Sequence, residues 1–191
     1  MKLVPFQQMD LFPTRIHIAE DFLEKKEFQK LNLLVKKDKQ KLDVPDFEVA
    51  ILRHMGIICD SLGVNLKSYS DIEITQTWGN VLEPGDDHLI HTHSNHIFSG
   101  VYYLTKGNPT IFLDPRPAAD SMSLNYKNPT QCFYGSRAAM PATPNSIVIF
   151  PSWLPHLVMI NREEETRKSI SFNIILRGKY GQENSLQEVA I

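Results

Sequence analysis

Cysteine is nearly absent from this sequence. Its 191 residues hold two, Cys59 and Cys132, too few for a disulfide scaffold, and both read as reduced core thiols. An excess of charge is lacking as well. Twenty Lys and Arg face 22 Asp and Glu, for a formal net charge of −2, which removes any general electrostatic case for nucleic acid or an anionic membrane. No run approaches the ~20 apolar residues of a membrane span. The start, Met1-Lys2-Leu3-Val4-Pro5-Phe6, reaches polar Gln7-Gln8 before an apolar stretch of secretory length, so a cytoplasmic protein is the expectation. Solenoid-period repeats and low-complexity tracts are missing too. What remains is ordinary globular material, 42% hydrophobic and 22% charged. A chain this long buries roughly 70% of its unfolded surface, enough for a core without disulfide or metal. One domain over 1–191 is expected. Histidine is the item in excess: there are seven, and four (His88, His91, His93, His96) fall within nine residues.

Hydrophobic spacing divides the chain near residue 65. Before it the period is helical. Phe28, Leu31, Leu34 and Val35 form one stripe, and Phe47, Ile51, Met55, Ile58 and Leu62 form a second. Pro45-Asp46 is a start signal and Gly63 a stop, which predicts a helix over 46–62. The lysines between the stripes (Lys36, Lys37, Lys39, Lys41) read as a solvated helix end and loop. From residue 69 the period is two: Ile72, Ile74 and Trp78 alternate with Glu73, Thr75 and Thr77. Glu83-Pro84-Gly85-Asp86 is a turn, and strand-like runs recur at 87–93, 97–105, 109–114, 145–150, 155–160 and 167–176. Many short strands after two helices give a mainly β, α+β architecture: a helical cover over 1–65 and a β core over 66–180. The weakly patterned stretch 115–142 reads as a lid or binding loop.

Three groups of residues carry chemistry. In a strand, residues i and i+2 share a face, so His91 and His93 present two imidazoles to one ion. His156, in Pro151-Ser152-Trp153-Leu154-Pro155-His156, is the candidate third ligand, while His88 and His96 read as flanking residues or orienting partners of the ligands. A clustered, solvent-facing set of histidines is the plain alternative. In the run after Thr166, Ile170, Phe172, Ile174 and Leu176 share one face, and Arg167, Ser169, Ser171 and Asn173 the other. The first face would pack under the helices and the second would line a cavity, where arginine offers a bidentate fork for a carboxylate. Read alone, it could equally be a surface arginine on a solvated strand. Finally, Ser99-Gly100-Val101-Tyr102-Tyr103-Leu104 is a core strand, one of whose tyrosines faces inward and needs a partner for its hydroxyl.

The order of these pieces carries a resemblance. His91-Thr92-His93, then Ser99 to Leu104, then Asp114-Pro115-Arg116, then Phe150 to His156, then Arg167-Lys168-Ser169-Ile170-Ser171-Phe172-Asn173 resembles a family of 2-oxoglutarate/Fe(II)-dependent oxygenases. That family has marine bacterial and phage members and is related to the prolyl-hydroxylase-like branch. The resemblance spans about 70–177 and implies a double-stranded β-helix, the jelly-roll barrel. It implies Fe(II) on His91, His93 and His156, with 2-oxoglutarate held by Arg167 and Ser169 and touched by Tyr102 or Tyr103. Arg116 and Asn95 are candidate substrate contacts. One position departs from the superfamily pattern H-x-D/E: His93 stands where a carboxylate is usual. Either three histidines bind the metal or a carboxylate comes from elsewhere, with Asp86, Asp87 and Asp114 as possible sources.

The implied activity is hydroxylation of a small molecule or peptide, using O₂ and releasing succinate and CO₂, in the host cytoplasm if the chain is phage-encoded. Two other classes compete on the same scaffold. One is a three-histidine, cupin-like metalloenzyme that needs no 2-oxoglutarate, which would leave Arg167 and Ser169 without a purpose. The other is a non-catalytic jelly-roll binding or virion-associated module.

Overall fold

The structure is a computed structural model that describes residues 12–116, 136–181 and 186–191. Two helices form where the apolar stripes predict them. The first, α1, spans Lys25–Leu34. Its stripe is narrower than expected: Leu31 and Val35 are buried, whereas Leu34 turns partly to solvent. The second, α2, spans Pro45–Ser61, opens with Pro45 at its first turn beside Asp46 and Glu48, and buries Phe47, Ile51, Met55 and Cys59. Proline costs nothing there because its missing N–H has no helical acceptor, and the carboxylates suit the positive end of the helix dipole. Gly63 follows at φ +71°, the left-handed conformation that ends the helix. His54 is exposed and Met55 is core.

The 1–65 segment is not helical throughout. Two short strands, β1 (His17–Ala19) and β2 (Gln40–Lys41), add themselves to the edges of the large sheet. That sheet has the order β1-β8-β5-β10-β3-β2, built from β3 (Tyr69–Leu82), β5 (Phe98–Tyr103), β8 (Ile147–Pro151) and β10 (Arg167–Tyr180). A final short strand, β11 (Val189–Ala190), pairs with β10. The second sheet runs β4-β9-β6-β7, from β4 (His88–His91), β9 (His156–Val158), β6 (Gly107–Leu113) and β7 (Arg137–Ala142). Every pairing is antiparallel. The two sheets pack face to face as a jelly roll, the fold that the resemblance implies, although among the described residues their hydrogen bonding does not close into one continuous barrel.

Period-two alternation places the cores. In β5, Phe98 and Tyr102 point to the helices, while Val101 and Tyr103 point between the sheets. In β8, Ile147 and Ile149 do the first and Val148 and Phe150 the second. In β10, Ile170, Phe172, Ile174 and Leu176 lie under the helices, as the sequence pattern predicts. The alternation in β3 changes phase. A register shift falls where Asn173 pairs Gln76 and Ile174 pairs Ile74, so Thr75 is the extra residue of a bulge. Ile72 and Ile74 pack toward the helices, but beyond the bulge Thr77 faces them instead, its hydroxyl on Glu48. Trp78 is thereby turned to the opposite face, which corrects the expectation that it shares a side with Ile72 and Ile74.

The stretch 115–142, expected to be a lid or binding loop, is not loop throughout: its end, Arg137–Ala142, is strand β7 paired to β6. Residues 117–135, and with them Cys132, lie outside the described residues. Among the described residues no helix is long and apolar enough to cross a membrane.

Candidate active site

The polar face of β10 opens onto a cavity of about 950 Å³ between the sheets. Arg167, Ser169, Ser171 and Asn173 line it from β10, and Gln76, Trp78 and Asn80 line it from β3, delivered there by the bulge. Across from them sit His91, His93 and His156.

The three histidines arrive from different places. His91 and His156 are paired residues of neighbouring strands β4 and β9. His93 lies two residues past the end of β4, not within the strand as the i, i+2 argument assumes. It is returned to the cluster because its N–H donates to Ser152 O (2.9 Å) in the turn between β8 and β9. Ring centroids are 4.3 Å apart for His91 and His156, and 5.2 Å for each pair that includes His93. One ligand atom from each ring lies within 4.8 Å of the others. Each Nδ1 is occupied: His91 on Leu89 O (2.7 Å), His156 on Leu154 O (2.9 Å), His93 on Asn173 Oδ1 (2.5 Å). These acceptors leave three Nε2 atoms free for an ion. Burial holds His156 down to about 4 and also lowers His93, so both rings are neutral and ready to ligate near pH 7.

No carboxylate joins this group among the described residues. Asp114 is committed to Arg116, with Nη2 on Oδ2 at 2.6 Å and Nε on Oδ1 at 2.9 Å. Asp86 accepts from Glu83 N at 3.0 Å. Asp87 lies exposed on the cavity wall but outside the cluster. The other clustered histidines do not orient the ligands. His96 bonds Thr75 Oγ1 (2.8 Å), and His88 lies 3.7 Å from Asp38.

Arg167 is the second anchor. It is 1% exposed and faces no carboxylate among the described residues. Its Nε donates to Asn108 O (2.9 Å) and Nη1 to Ser169 Oγ (3.2 Å), while Nη2 is buried without a partner. Its guanidinium carbon lies 5.5 Å from the centre of the Tyr103 ring, whose hydroxyl donates to Thr110 Oγ1 at 2.8 Å. Burial pulls the arginine below its usual range and pushes the Tyr103 phenol up. Tyr102 points the other way. Its ring packs on Phe47 at 5.1 Å and its hydroxyl donates to Asn145 Oδ1 at 2.7 Å, so the expected cosubstrate contact through Tyr102 is corrected. Arg116, expected as a substrate contact, is tied to Asp114 and is not among the described residues that line the cavity. Asn95 does line it, at φ +66° in the turn after His93.

Comparison with known proteins settles the class. Residues 76–173, half of the chain and including every residue of the histidine cluster and Arg167, match the family model described as "Putative 2OG-Fe(II) oxygenase". The chain belongs to this family of 2-oxoglutarate- and Fe(II)-dependent oxygenases. The family's metal is iron and its cosubstrate 2-oxoglutarate. Solved structures share the oxygenase's fold at low identity. A Pseudomonas putida prolyl-4-hydroxylase is 16% identical with a TM-score of 0.58, covering 86% of this chain and 89% of its own. The viral collagen prolyl hydroxylase of Paramecium bursaria Chlorella virus-1, solved with 2-oxoglutarate, is 10% identical at 0.55, covering 83% and 94%. HygX of Streptomyces hygroscopicus, solved with iron, is 10% identical at 0.53, covering 85% and 82%. No curated protein sequence matches the chain.

Proposed function

We propose that this oxygenase hydroxylates a neutral, polar substrate, a small molecule or a peptide segment, with His91, His93 and His156 holding Fe(II) and Arg167 and Ser169 holding the far carboxylate of 2-oxoglutarate. The observation that carries the reading is the buried Nη2 of Arg167, unpartnered beside the cavity that the three histidines share. A desolvated guanidinium with a free N–H lacks an anion, and a carboxylate end fits its fork. The donor set on the other side fits a divalent first-row ion: three neutral imidazoles, each with its second nitrogen hydrogen-bonded. Bound there, iron supplies the oxidation that turns 2-oxoglutarate and O₂ into succinate, CO₂ and a hydroxylated product.

The chain's own residues do the positioning. Tyr103 and Asn108 O fix the arginine side chain, so the carboxylate grip exists before the cosubstrate arrives. Asn80 Nδ2 donates to Ser171 Oγ at 2.9 Å and lies 3.5 Å from Ser169 Oγ, tying the floor of the cavity together. Trp78 donates to Asn80 Oδ1 at 3.0 Å and lies beside the His93 ring, 5.8 Å between centroids, giving a flat apolar wall next to the metal position. The remaining wall joins amide, hydroxyl and imidazole groups (Gln76, Ser94, Asn95, His96) to apolar Ile90 and Val158, and its two charged side chains at the exposed edge, Lys39 and Asp87, are of opposite sign, which supports a substrate without net charge. A cytoplasmic setting suits the free, buried thiol of Cys59.

The unpartnered arginine also weighs against the cupin-like alternative, which has no use for it. Anaerobic addition of Fe(II) and 2-oxoglutarate should give the weak visible charge-transfer band of the chelate, and Arg167→Ala should weaken 2-oxoglutarate binding while sparing iron. Tight iron binding without a band would favour a 2-oxoglutarate-independent enzyme, and loss of iron in Arg167→Ala would overturn the division of roles.

A further inference from the structure

The three histidines are not held alike. His91 and His156 each donate from Nδ1 to a backbone carbonyl, Leu89 O and Leu154 O. A carbonyl oxygen only accepts, so each ring carries a proton on Nδ1, and in the neutral form that leaves Nε2 bare. His93 meets a side-chain amide instead, Asn173 Oδ1 at 2.5 Å. An amide is an acceptor at one end and a donor at the other, so the tautomer of His93 follows the way Asn173 faces. With the oxygen toward it, His93 is protonated on Nδ1 and Nε2 can ligate. With the nitrogen toward it, the proton moves to Nε2 and ligation is lost.

The surroundings fix the amide. Ser99 Oγ donates to the same Asn173 Oδ1 at 2.8 Å, and Ser99 in turn lies 2.8 Å from Ser152 Oγ. At the other end, Asn173 Nδ2 donates to Gln76 Oε1 at 3.3 Å. Asn173 is 4% exposed and Ser99 and Ser152 are fully buried, so bulk water is not at hand to satisfy a reversed amide. Gln76 reaches this point only because the bulge at Thr75 turns it to the cavity.

We propose that Asn173 is a positioning residue of the metal centre: its Oδ1, oriented by Ser99 and Gln76, holds His93 in the tautomer that presents Nε2 to the ion. It does with a side chain what backbone carbonyls do for the other two rings. The polar face of β10 then serves both halves of the site, with Arg167 at one end and Asn173 at the other. The proposal rests on His93 as a metal ligand.

The test is 15N NMR of the metal-free full-length protein, reading which nitrogen of His93 is protonated at a pH where the ring is neutral. It is paired with anaerobic Fe(II) and Co(II) titration of wild type, Asn173→Leu and Asn173→Asp. Wild type should show His93 protonated on Nδ1. Asn173→Asp, whose oxygens both accept, should keep that tautomer and keep or tighten metal binding. Asn173→Leu should move His93 toward the Nε2-protonated form and weaken the metal about 10- to 100-fold. Unchanged signals of His91 and His156 in the same spectra show that the variant is folded. If Asn173→Leu does not fold, the wild-type tautomer and the Asn173→Asp variant decide the matter alone. The proposal is overturned by Nε2 protonation of His93 in the wild type, by an unmoved tautomer and affinity in Asn173→Leu, or by an equal loss in both variants. Failure of wild type to bind either metal would refute the ligand reading instead, with the tautomer still reporting on Asn173.

Discussion

Replacing Arg167 by methionine separates a binding residue from a structural one by the sign of a stability change. The guanidinium is 1% exposed and has no carboxylate partner, so its burial costs several kcal/mol of desolvation. Against that stand two hydrogen bonds, to Asn108 O and Ser169 Oγ, each worth roughly 1.5–3 kcal/mol for a charged donor, and the Tyr103 ring contact. With Nη2 left unpaired, the balance in the ligand-free protein is unfavourable by on the order of 1–2 kcal/mol. Methionine fills similar space without charge, so Arg167→Met is expected to raise the ligand-free Tm by about 2–8 °C, at roughly 2–4 °C per kcal/mol for a chain of this size. The response to 2-oxoglutarate should go the other way. At a hundredfold excess over Kd a bound ligand adds about 2.7 kcal/mol to the wild type, and the variant should gain nothing. The assay is thermal unfolding of both proteins, loaded with a redox-inert divalent ion, with and without 2-oxoglutarate. A lower ligand-free Tm in the variant would show that Arg167 is held for structure. A retained 2-oxoglutarate shift would show that the carboxylate binds elsewhere. Either result overturns the assignment of Arg167 to the cosubstrate carboxylate.

Three further outcomes follow from the geometry. His156 is depressed to about 4, chiefly by burial, and His93 and His88 are also lowered. Below the ordinary value of about 6.5 the unfolded chain takes those protons first, so metal-free stability should fall from pH 6.5 toward 4, by on the order of 3 kcal/mol for His156 alone. Urea denaturation across that window checks it, and a flat profile contradicts it. Gly100→Ala would set a Cβ 2.1 Å from Cζ of Phe172, a fully buried ring packed on Phe47. Overpacking of this kind should lower stability by roughly 2–3 kcal/mol, seen as a Tm about 4–12 °C lower; an unchanged Tm would show that Phe172 has room to yield. Finally, calorimetry should find 2-oxoglutarate binding markedly tighter in the metal-loaded protein than in the metal-free one. Equal affinities would show that metal and cosubstrate are not coupled through charge.

What the sequence made legible was periodicity. The alternation of Ile170, Phe172, Ile174 and Leu176 with Arg167, Ser169, Ser171 and Asn173 put the helix-facing and cavity-facing sides of β10 in the right places, because a strand without a bulge on that side keeps its phase. The same rule failed in β3, where one extra residue at Thr75 inverted everything after it and sent Gln76, Trp78 and Asn80 into the cavity. No residue type announces such a bulge, so the part of the cavity wall that β3 supplies was out of reach. His93 joins the cluster for a different local reason than spacing suggests: the strand ends at His91, and a backbone bond to Ser152, far along the sequence, brings it in. Tyr102 and Tyr103 could not be separated in advance, because both are fully buried and only the packing of α2 decides which side is which.

On the proposed reading, His93 stands in place of a carboxylate ligand, and that changes the charge accounting of the whole cavity. Three neutral imidazoles add nothing to offset a divalent ion, and the buried charge nearest to hand, Arg167, is positive as well. The acidic groups near the site are spoken for or lie at its edge: Asp114 on Arg116, Asp86 on the turn at Glu83, Asp87 on the exposed wall. A metal-loaded cavity is therefore strongly positive in its interior, where charges are poorly screened. A site with a carboxylate ligand neutralises part of that before any cosubstrate enters. With the residues assigned as proposed, the compensation would fall to the ligand, and a dianion with one charge toward the metal and one toward Arg167 would meet both needs. Each carboxylate of 2-oxoglutarate would then gain from a cation that the protein leaves uncompensated, so metal and cosubstrate are expected to strengthen each other's binding, and by linkage the effect is mutual.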